Sequence, residues 1–433
     1  MMVLNWLSDI LIFISVHFSI NTISDTEMLY ICAYMAQPIK KKIQEIHPEM
    51  IQEPPFRTLL VDGNSVLFSC MADDKVNSDG LHYGGIFQFL LQLRMMITKG
   101  EFQYIYVFFD NEFSGVLRWQ IYPYYKQNRD KHYEDYGLSD YMKQVNAKVK
   151  SMAAYFKQKN GEAEKNNSKK ESDWEKFIDA NFDRERDTLC RYFNEMYIRW
   201  NIDEVTEGDD QIAYYCIHKK PNEKIVIMSA DMDLAQLLSD DICIYNQQKG
   251  IKKFITTKNF YENFGYDYHN VLVKKIFTGD SSDNIGNIKG LSEEGFFKLM
   301  PEAKKREVTV EEVKDRANKL IEERVSEHKK PYKLHENIIL GVSNKEYDGD
   351  FYEINKKIID LKHPILSDDA KETMDAMMYA PQDPEERSFG NLYQYITEDK
   401  IEDFMGDTKF ASFFAPFKSF AQREIKRYEE SQK

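Results

Sequence analysis

The sequence contains few cysteines, and none of them are spaced as a pair. Its five cysteines, Cys32, Cys70, Cys190, Cys216 and Cys243, are odd in number and never form a CxxC motif. Disulfide frameworks and cysteine-ligated zinc sites both need patterned cysteines. The composition therefore excludes both and predicts a protein of a reducing compartment, the cytoplasm.

Basic residues are also in deficit. The 58 lysines and arginines stand against 72 aspartates and glutamates, which gives a net charge of −14. This balance excludes a protein that coats nucleic acid non-specifically, but not a nucleic-acid enzyme with an acidic metal site. The sequence has no GxxxxGK[ST] motif and no Ser/His/Asp or Cys/His arrangement, so neither a P-loop nor a side-chain nucleophile is predicted.

Long apolar runs are scarce as well. The stretch MVLNWLSDILIFISVHFSI is apolar but carries Asp9 and His17, and no Lys or Arg precedes it. A secretory signal has a basic start, and a membrane-spanning helix needs about 20 apolar residues. We therefore expect residues 1–50 to be an N-terminal extension without a membrane span, with Met35 as the more natural start. A peripheral membrane anchor is the alternative.

Short apolar runs alternate with amphipathic stretches from residue 57 onward. Five runs predict buried strands: RTLLVDG (57–63), YIYVFFD (104–110), IDEVTE (202–207), KIVIMSAD (224–231) and ICIYN (242–246). The segments between them predict helices, among them GGIFQFLLQLRMMI, DDQIAYYCIHKK and DMDLAQLL. This α/β alternation predicts a mostly parallel sheet with helices on both faces.

The composition along the chain predicts four segments. These are the extension 1–50, an α/β core 51–276, a helical C-terminal region 277–405 and a tail 406–433. A long insert, residues 111–201, interrupts the core. Its polar, low-complexity middle, residues 157–176, predicts a mobile loop.

Carboxylates gather where the predicted strands end. Asp62, Asp110, Glu207 and Asp231 each close a strand, and further acids follow at helix starts or on the turn GDSSDN: Asp209, Asp210, Asp233, Asp280 and Asp283. In an open parallel sheet these strand ends share one edge, where sites form. Each acid alone also fits a helix cap or a surface turn. Capping does not explain why several strands end in acids at the same edge.

A gathering of this many carboxylates would be strongly self-repelling without bound cations. Oxygen ligands without His or Cys select Mg²⁺ or Mn²⁺. A cluster of this size is typical of two ions set about 4 Å apart for in-line phosphoryl displacement. The sequence therefore predicts two-metal chemistry on a phosphodiester.

Five motifs, in the order LLVDGN, YVFFDN, TEGDDQIA, SADMDLAQLL and FTGDSSDNI, resemble the flap endonuclease / 5′–3′ exonuclease family. The segment FDNEFSGVLRWQIYPYYKQNR is similar to its T-even phage ribonuclease H branch. The resemblance covers residues 57–300 and implies a PIN-like nuclease core with two metal sites. It implies a first metal held by Asp62, Asp110, Glu207 and Asp209. It also implies that this site is completed, or a second one formed, by Asp231, Asp233, Asp280 and Asp283, with Asp210 nearby.

The resemblance also implies a helix–hairpin–helix grip on DNA after the last acids. Its candidate phosphate contacts are Gly286, Lys289 and Gly290. The stretch DNIGNIKGLSEEG departs from the family's DNIPGVxGIG. The proline is missing, Ser292 stands for the second hairpin glycine, and Glu294 occupies an expected basic position. These departures predict a degenerate, weaker grip.

The insert after Asp110 begins with cations and tyrosines. Arg118, Lys126 and Arg129 lie on a predicted helix, where cations can hold the scissile phosphate and offset its developing charge. An unpaired base could stack on Tyr122, Tyr124 and Tyr125. The alternative is a plain amphipathic helix with solvated charges and buried tyrosines. The resemblance implies that this region is a gateway for a free 5′ end or flap.

An aromatic stripe follows residue 406. It consists of Phe410, Phe413, Phe414 and Phe417, at i, i+3, i+4 and i+7 of a helix. Pro416 predicts a break in a continuous helix, or a new start after one turn. The Phe-Phe pair resembles a sliding-clamp docking peptide, which would make a sliding clamp or a single-strand DNA-binding protein a partner. The alternative is that the stripe packs on the protein's own helices.

These patterns and the resemblance together predict a Mg²⁺-dependent 5′-nuclease, a phosphodiesterase hydrolase with two metals. We expect a monomer that acts on DNA and RNA–DNA hybrids with 5′ ends or flaps and removes RNA primers during replication. The resemblance implies a phage-encoded protein in the host cytoplasm. A PIN-type single-strand ribonuclease and a catalytically idle replication-complex protein are the alternatives. The region after residue 277 disfavours the first, and the intact acids disfavour the second.

Overall fold

A six-stranded sheet forms the centre of the fold. The computed structural model describes residues 57–127, 173–247, 253–401 and 406–433, all within the unit Pro55–Lys433. The strands are β1 (Arg57–Asp62), β2 (Tyr104–Phe109), β3 (Arg199–Ile202), β4 (Lys224–Met228), β5 (Ile242–Tyr245) and β6 (Phe254–Ile255). Their order is β3-β2-β1-β4-β5-β6. All neighbours pair in parallel except β5 and β6.

Helices surround this sheet and continue beyond it. In chain order they are α1 (Gly63–Cys70), α2 (Gly84–Gly100), α3 (Val116–Trp119), α4 (Asp173–Glu195), α5 (Gly208–His218), α6 (Phe260–Phe264), α7 (Val271–Thr278), α8 (Glu293–Leu299), α9 (Val310–Ser326), α10 (Lys333–Leu340), α11 (Phe351–Ile359), α12 (Asp368–Met377), α13 (Phe389–Glu398) and α14 (Asp407–Ser431). Within the described ranges, none of them is both long enough and apolar enough to cross a membrane.

Both faces of the sheet are covered because its strands are apolar throughout. Leu59 and Val61 belong to the core on one face, which α2, α4 and α14 complete. Leu60 belongs to the core on the other face, together with side chains of α5 and α12. A third apolar core holds α7 to α11 together. The predicted fold class, a mostly parallel sheet with helices on both faces and a helical C-terminal region, is confirmed.

Two predicted elements near the acids are wrong in detail. The third strand is Arg199–Ile202, not residues 202–207, because the Asp203 carboxylate accepts the amides of Val205 (3.0 Å) and Thr206 (2.7 Å) and turns the chain. Glu207 therefore stands at the N-cap position of α5 rather than at a strand end. The stretch DMDLAQLL forms a short 3-10 helix, Asp233–Leu237, instead of an α-helix.

The order of the strands places the acids. The chain leaves β1 toward β2 and β3 and later returns to add β4 and β5 on the other side. A crevice opens at such a reversal, outside the carboxyl ends of the strands. Asp62 ends β1, Asp110 follows β2 and Asp231 follows β4, so the central three strands deliver acids to that crevice.

The aromatic stripe near the C-terminus is part of the core. Phe410, Phe414 and Phe417 are buried with side chains of α2 and α13, and Phe413 packs half-buried against Phe87. The interpretation of the stripe as an exposed docking peptide is therefore wrong. The stripe packs on the protein's own helices.

Pro416 lies inside the continuous helix α14, so the predicted break is also wrong. Proline removes one backbone donor and disturbs the preceding turn. The carbonyl that loses its helical donor is that of Ser412, four residues earlier. Arg94 of α2 binds the neighbouring carbonyl, because its Nε donates to Phe413 at 3.0 Å. The helix is thus supported from outside at the turn where proline weakens it.

Truncating one phenylalanine of the stripe tests this packing. Phe414→Ala is expected to lower the free energy of unfolding by about 3–5 kcal/mol, because it removes a fully buried ring and leaves a cavity. Ser419→Ala, an exposed position on the same helix, is the matched control and should unfold like the wild type. Chemical denaturation measures both. Equal midpoints for the two variants would contradict the buried placement of the stripe.

Candidate active site

A cavity of about 210 Å³ opens at the carboxyl edge of the sheet. Eight carboxylates line it: Asp62, Asp110, Glu207, Asp209, Asp231, Asp233, Asp280 and Asp283. Lys126 and Arg118 contribute positive charge, and Ile358, Ile359 and Leu361 form an apolar wall. The structure therefore brings eight of the nine predicted acids together.

Asp62 and Asp110 are fixed by hydrogen bonds from backbone amides and a serine hydroxyl. Asp62 caps α1, accepting the Ser65 amide at 3.0 Å, and its second oxygen accepts the Ser229 hydroxyl at 2.6 Å. Asp110 accepts the amide of Gly208 at 2.6 Å. A side chain on Gly208 would come within 3.2 Å of that same carboxylate oxygen, so the close approach favours glycine there.

Repulsion is strongest around Asp62 and Asp209. Burial, together with the neighbouring charges of Asp110 and Asp231, raises the pKa of Asp62 to about 7 although its hydrogen bonds act in the opposite direction. Burial also raises the pKa of Asp209 well above its usual range, and the charges of Asp62 and Asp231 contribute the strongest repulsion. The centre of the cluster therefore carries more negative charge than its surroundings stabilise.

Glu207 is in the opposite situation. Although burial alone would raise its pKa, the Lys126 ammonium and the Arg118 guanidinium hold the pKa of Glu207 at about 2. Lys126 pairs directly with one carboxylate oxygen, and Arg118 lies 2.6 Å from the other. Glu207 is thus ionised and already neutralised by the chain's own cations.

Lys275 neutralises the far side of the cluster. This residue of α7 pairs with Asp233 and lies 2.6 Å from Asp280. Despite burial, its charge holds the pKa of Asp280 at about 2. Burial and the charge of Asp231 still leave the pKa of Asp233 raised, at about 6. Asp280 of the GDSSDN turn and Asp233 are therefore tied to a lysine that no sequence pattern singled out.

Asp210 does not line the cavity, which corrects its prediction as a metal-site acid. It is completely buried and paired with Arg118, whose Nη2 lies 3.1 Å from its Oδ1. The same oxygen accepts the amide of Ile365 at 2.9 Å. Arg118 also donates to the Ile358 carbonyl at 2.8 Å. The Arg118–Asp210 ion pair thus holds the segment around Ile358 against the cavity. Arg118 is therefore a buried structural cation and is not available to a substrate phosphate.

The predicted helix through the gateway ends after a single turn. The segment that follows α3 is a series of turns, and Lys126 has a positive φ of 52°. Pro123 is the local cause, because it disfavours helical backbone at the residue before it. Lys126 nevertheless reaches the cavity. Arg129 and the low-complexity residues 157–172 lie outside the described residues, whereas residues 173–176 begin α4.

Two of the three predicted stacking tyrosines are buried, so a base-stacking role is wrong for both. Tyr122 lies against Tyr347, with ring centroids 4.7 Å apart. Tyr125 directs its hydroxyl to Glu207 (3.0 Å) and to Asp283 (3.3 Å). Tyr124 remains at the surface and donates to Glu346 at 3.3 Å.

The segment predicted to form the hairpin connects α7 and α8, and its residues differ in solvent exposure. Gly286 is buried and donates its amide to the Tyr347 hydroxyl at 2.9 Å, so the prediction that it contacts phosphate is wrong. Lys289 and Gly290 are exposed. Ser292 caps α8 by accepting the Gly295 amide at 3.1 Å. Lys289 and Gly290 are the two predicted contacts that face solvent.

The donor set fits a hard divalent cation. Its side chains offer carboxylate oxygens without His or Cys, the chemistry that Mg²⁺ and Mn²⁺ prefer. A cation beside Asp62 and Asp209 would offset the repulsion that raises their pKa values. Among the described residues, no group of three or more His, Cys, Asp or Glu is arranged to hold an ion as it stands. Lys126 and Lys275 instead pair with the acids around them.

Comparison with known proteins gives a partial match. The family described as 5′-3′ exonuclease, N-terminal resolvase-like domain, matches residues 57–166. A 5′-3′ exonuclease of Mycoplasmopsis pulmonis is 36% identical over 94 residues, which are 22% of this chain and 31% of that protein. A 5′-3′ exonuclease of Bacillus subtilis is 36% identical over 98 residues, 22% of this chain and 33% of that protein. This chain therefore spans about a third of the length of these relatives.

Among solved structures, the 5′-exonuclease of bacteriophage T5 with bound zinc aligns with 85% of this chain and 99% of its own. The TM-score is 0.45 at 14% identity.

The segment that matches the family in sequence, residues 57–166, contains β1, β2 and the start of the insert. Asp62, Asp110 and Lys126 of the cavity thus lie in a segment similar to the N-terminal resolvase-like domain of 5′–3′ exonucleases.

Proposed function

We propose that this protein is a divalent-metal-dependent 5′-nuclease that hydrolyses phosphodiesters of DNA near a 5′ end or flap. The observation that carries the proposal is the cavity itself, in which eight carboxylates from both sides of the strand reversal face Lys126. The match of residues 57–166 to a 5′-3′ exonuclease domain supports the same activity.

The finer proposal is that two Mg²⁺ ions serve the reaction and that the substrate includes the RNA of primers. The similarity of FDNEFSGVLRWQIYPYYKQNR to the T-even phage ribonuclease H branch supports RNA–DNA hybrid as a substrate. On this proposal the protein is phage-encoded and acts in the host cytoplasm during replication.

Each wall of the cavity has a separate task in this proposal. Four carboxylates that repel one another would hold the metal. Asp62, Asp110 and Asp231 follow neighbouring strands, and Asp209 lies in the first turn of α5. When bound, a divalent ion would supply an activated water for in-line attack and charge stabilisation for the leaving oxygen. Ile358, Ile359 and Leu361 exclude solvent from one side, which strengthens the electrostatic interactions inside.

Among the described residues, Lys126 is the cation best placed to hold the scissile phosphate. Its ammonium lies at Glu207 in the cavity, beside the ring of Tyr125. An entering phosphate competes with Glu207 for this charge, and the charge developing on the phosphate in the transition state strengthens the contact. Arg118 is not available for this task, because Asp210 and the Ile358 carbonyl hold it.

The activity is tested on 5′-labelled flap, RNA–DNA hybrid, nicked duplex and single-stranded RNA. We expect Mg²⁺-dependent cleavage near the 5′ end of the first two, with the product sizes read on a gel. Cleavage of single-stranded RNA alone would indicate a PIN-type ribonuclease. Binding without cleavage of any substrate would indicate a catalytically idle replication protein.

Removing one ligand charge at a strand end should abolish turnover. Asp110→Asn and Asp62→Asn are expected to reduce Mg²⁺-dependent cleavage of the flap by at least about a thousandfold, because each hardly changes shape but removes a charge that the metal needs. Asp368→Asn, at an exposed helix start, is the control for the same substitution. Near wild-type turnover by either site variant would refute the metal-site assignment.

Thermal melting tests Mg²⁺ binding without a cleavage assay. Mg²⁺ should raise the Tm of the wild type, because it binds the folded state. Asp209→Asn should melt no lower than the wild type without metal, because burial and the charge of Asp62 disfavour the ionised carboxyl that it replaces. The variant should gain less from Mg²⁺. NaCl at matched ionic strength is the control. Equal Mg²⁺ shifts in the two proteins would exclude Asp209 as a ligand.

The phosphate contact of Lys126 is tested by truncation. Lys126→Ala should lower turnover of the flap by about 10²–10³-fold, the loss expected for one preorganised charge at a developing anion. Lys371→Ala, a surface lysine of α12, is the control and should turn over normally. A Lys126→Ala variant with unchanged turnover would leave the cavity without its proposed phosphate contact.

A further inference from the structure

Two hydrogen bonds join the gateway at residues 124–126 to the GDSSDN turn at residues 279–284, which we call the acidic turn. The amide of Lys126 donates to the Asp283 carbonyl at 2.8 Å. In the other direction, the side-chain amide of Asn284 donates to the Tyr124 carbonyl at 2.6 Å. Two segments that lie more than 150 residues apart are thus held in register at the mouth of the cavity.

This connection holds Lys126 in a backbone conformation that lysine disfavours. Its φ is 52°, in the left-handed region, where the Cβ of an L-residue crowds the carbonyl oxygen that follows it. Such a conformation persists only where the surroundings impose it, and it is typical of functional sites. The bond from the Lys126 amide to Asp283 and the bond from Asn284 to the Tyr124 carbonyl contribute this constraint from the acidic turn. Within the gateway, the Gln127 amide donates to the same Tyr124 carbonyl at 3.2 Å, and the indole Nε1 of Trp119 donates to the Tyr125 carbonyl at 2.7 Å.

The orientation of the Asn284 amide follows from its partners. Its Nδ2 faces a carbonyl, which only accepts, and its Oδ1 receives the ammonium of Lys345. A carboxylate in place of this amide would set an oxygen against the Tyr124 carbonyl. Asn284 is itself left-handed, with a φ of 59°, a conformation that asparagine tolerates better than most residues.

We propose that Asn284 is a positioning residue that acts through Lys126. By holding Tyr124 in place, Asn284 keeps Lys126 left-handed and its ammonium at Glu207 inside the cavity. This inference rests on the proposed nuclease function for its effect on the reaction. It assigns to the asparagine that follows the last acid a task different from metal or DNA binding.

Asn284→Gly removes the amide and keeps the left-handed backbone, because glycine adopts positive φ without strain. On the flap substrate, we expect kcat to fall at least about tenfold with little change in KM. Asn284→Asp should lose as much activity, although its charge still attracts Lys345. Wild-type kcat in the glycine variant would overturn the proposal.

A double-mutant cycle separates positioning from general destabilisation. If Asn284 acts through Lys126, adding Asn284→Gly to Lys126→Ala should change kcat by less than about twofold. Asn287→Ala is the matched control, because its amide donates at 2.7 Å to Leu291 within the hairpin and not to the gateway. The effect of Asn287→Ala should add to that of Lys126→Ala. Full additivity for Asn284→Gly would show a merely structural role.

A crystal structure of Asn284→Gly gives a readout that does not depend on cleavage. We expect Lys126 to relax to a negative φ and its ammonium to leave Glu207. An unchanged positive φ with the ion pair intact would overturn the inference even if the protein is an active nuclease. Conversely, a relaxed Lys126 in a protein that cuts no substrate would refute the proposed function and retain the positioning role.

Discussion

Mutual repulsion among carboxylates at one edge of the sheet is the constraint on which the rest of this structure depends. Parallel strands end at a common edge, so acids at their ends cannot avoid one another. The fold offsets the outer part of this charge with Lys126, Arg118 and Lys275. It leaves the centre, at Asp62 and Asp209, uncompensated. Among the described acids of the cavity, the least compensated ones are therefore also those most ready for a divalent cation.

The acidic edge could be predicted from the sequence because it depends on local features. An apolar run followed by an acid indicates both a buried strand and the edge at which it ends. The adjacent pair Asp209 and Asp210 shows the limit of this reasoning. Successive helical residues point about 100° apart, so only one of them can face the cavity. The sequence alone does not say that Asp210 turns toward Arg118.

The parts of the site that were missed depend on contacts between distant segments. Lys275 reaches Asp233 across 42 positions of the chain, and the apolar wall at Ile358 arrives from the C-terminal region. The hydrophobic periodicity of a sequence predicts helices and strands, but it does not predict which distant segments come into contact. The turn at Lys126 was different, because Pro123 was a readable signal against a continuous helix. The stripe of Phe410 to Phe417 was ambiguous in sequence, since a docking face and a core face have the same helical spacing.

The packing of α14 also has a consequence for how this protein is made. Arg94 of α2 and Phe413 of α14 are in contact although 319 residues separate them. At about 5–20 residues per second, a ribosome needs roughly 15–60 s to travel between them. During that time the apolar face of α2 has no α14 to cover it. The nascent chain therefore exposes part of the apolar face of α2 for much of its synthesis, until α14 emerges and docks.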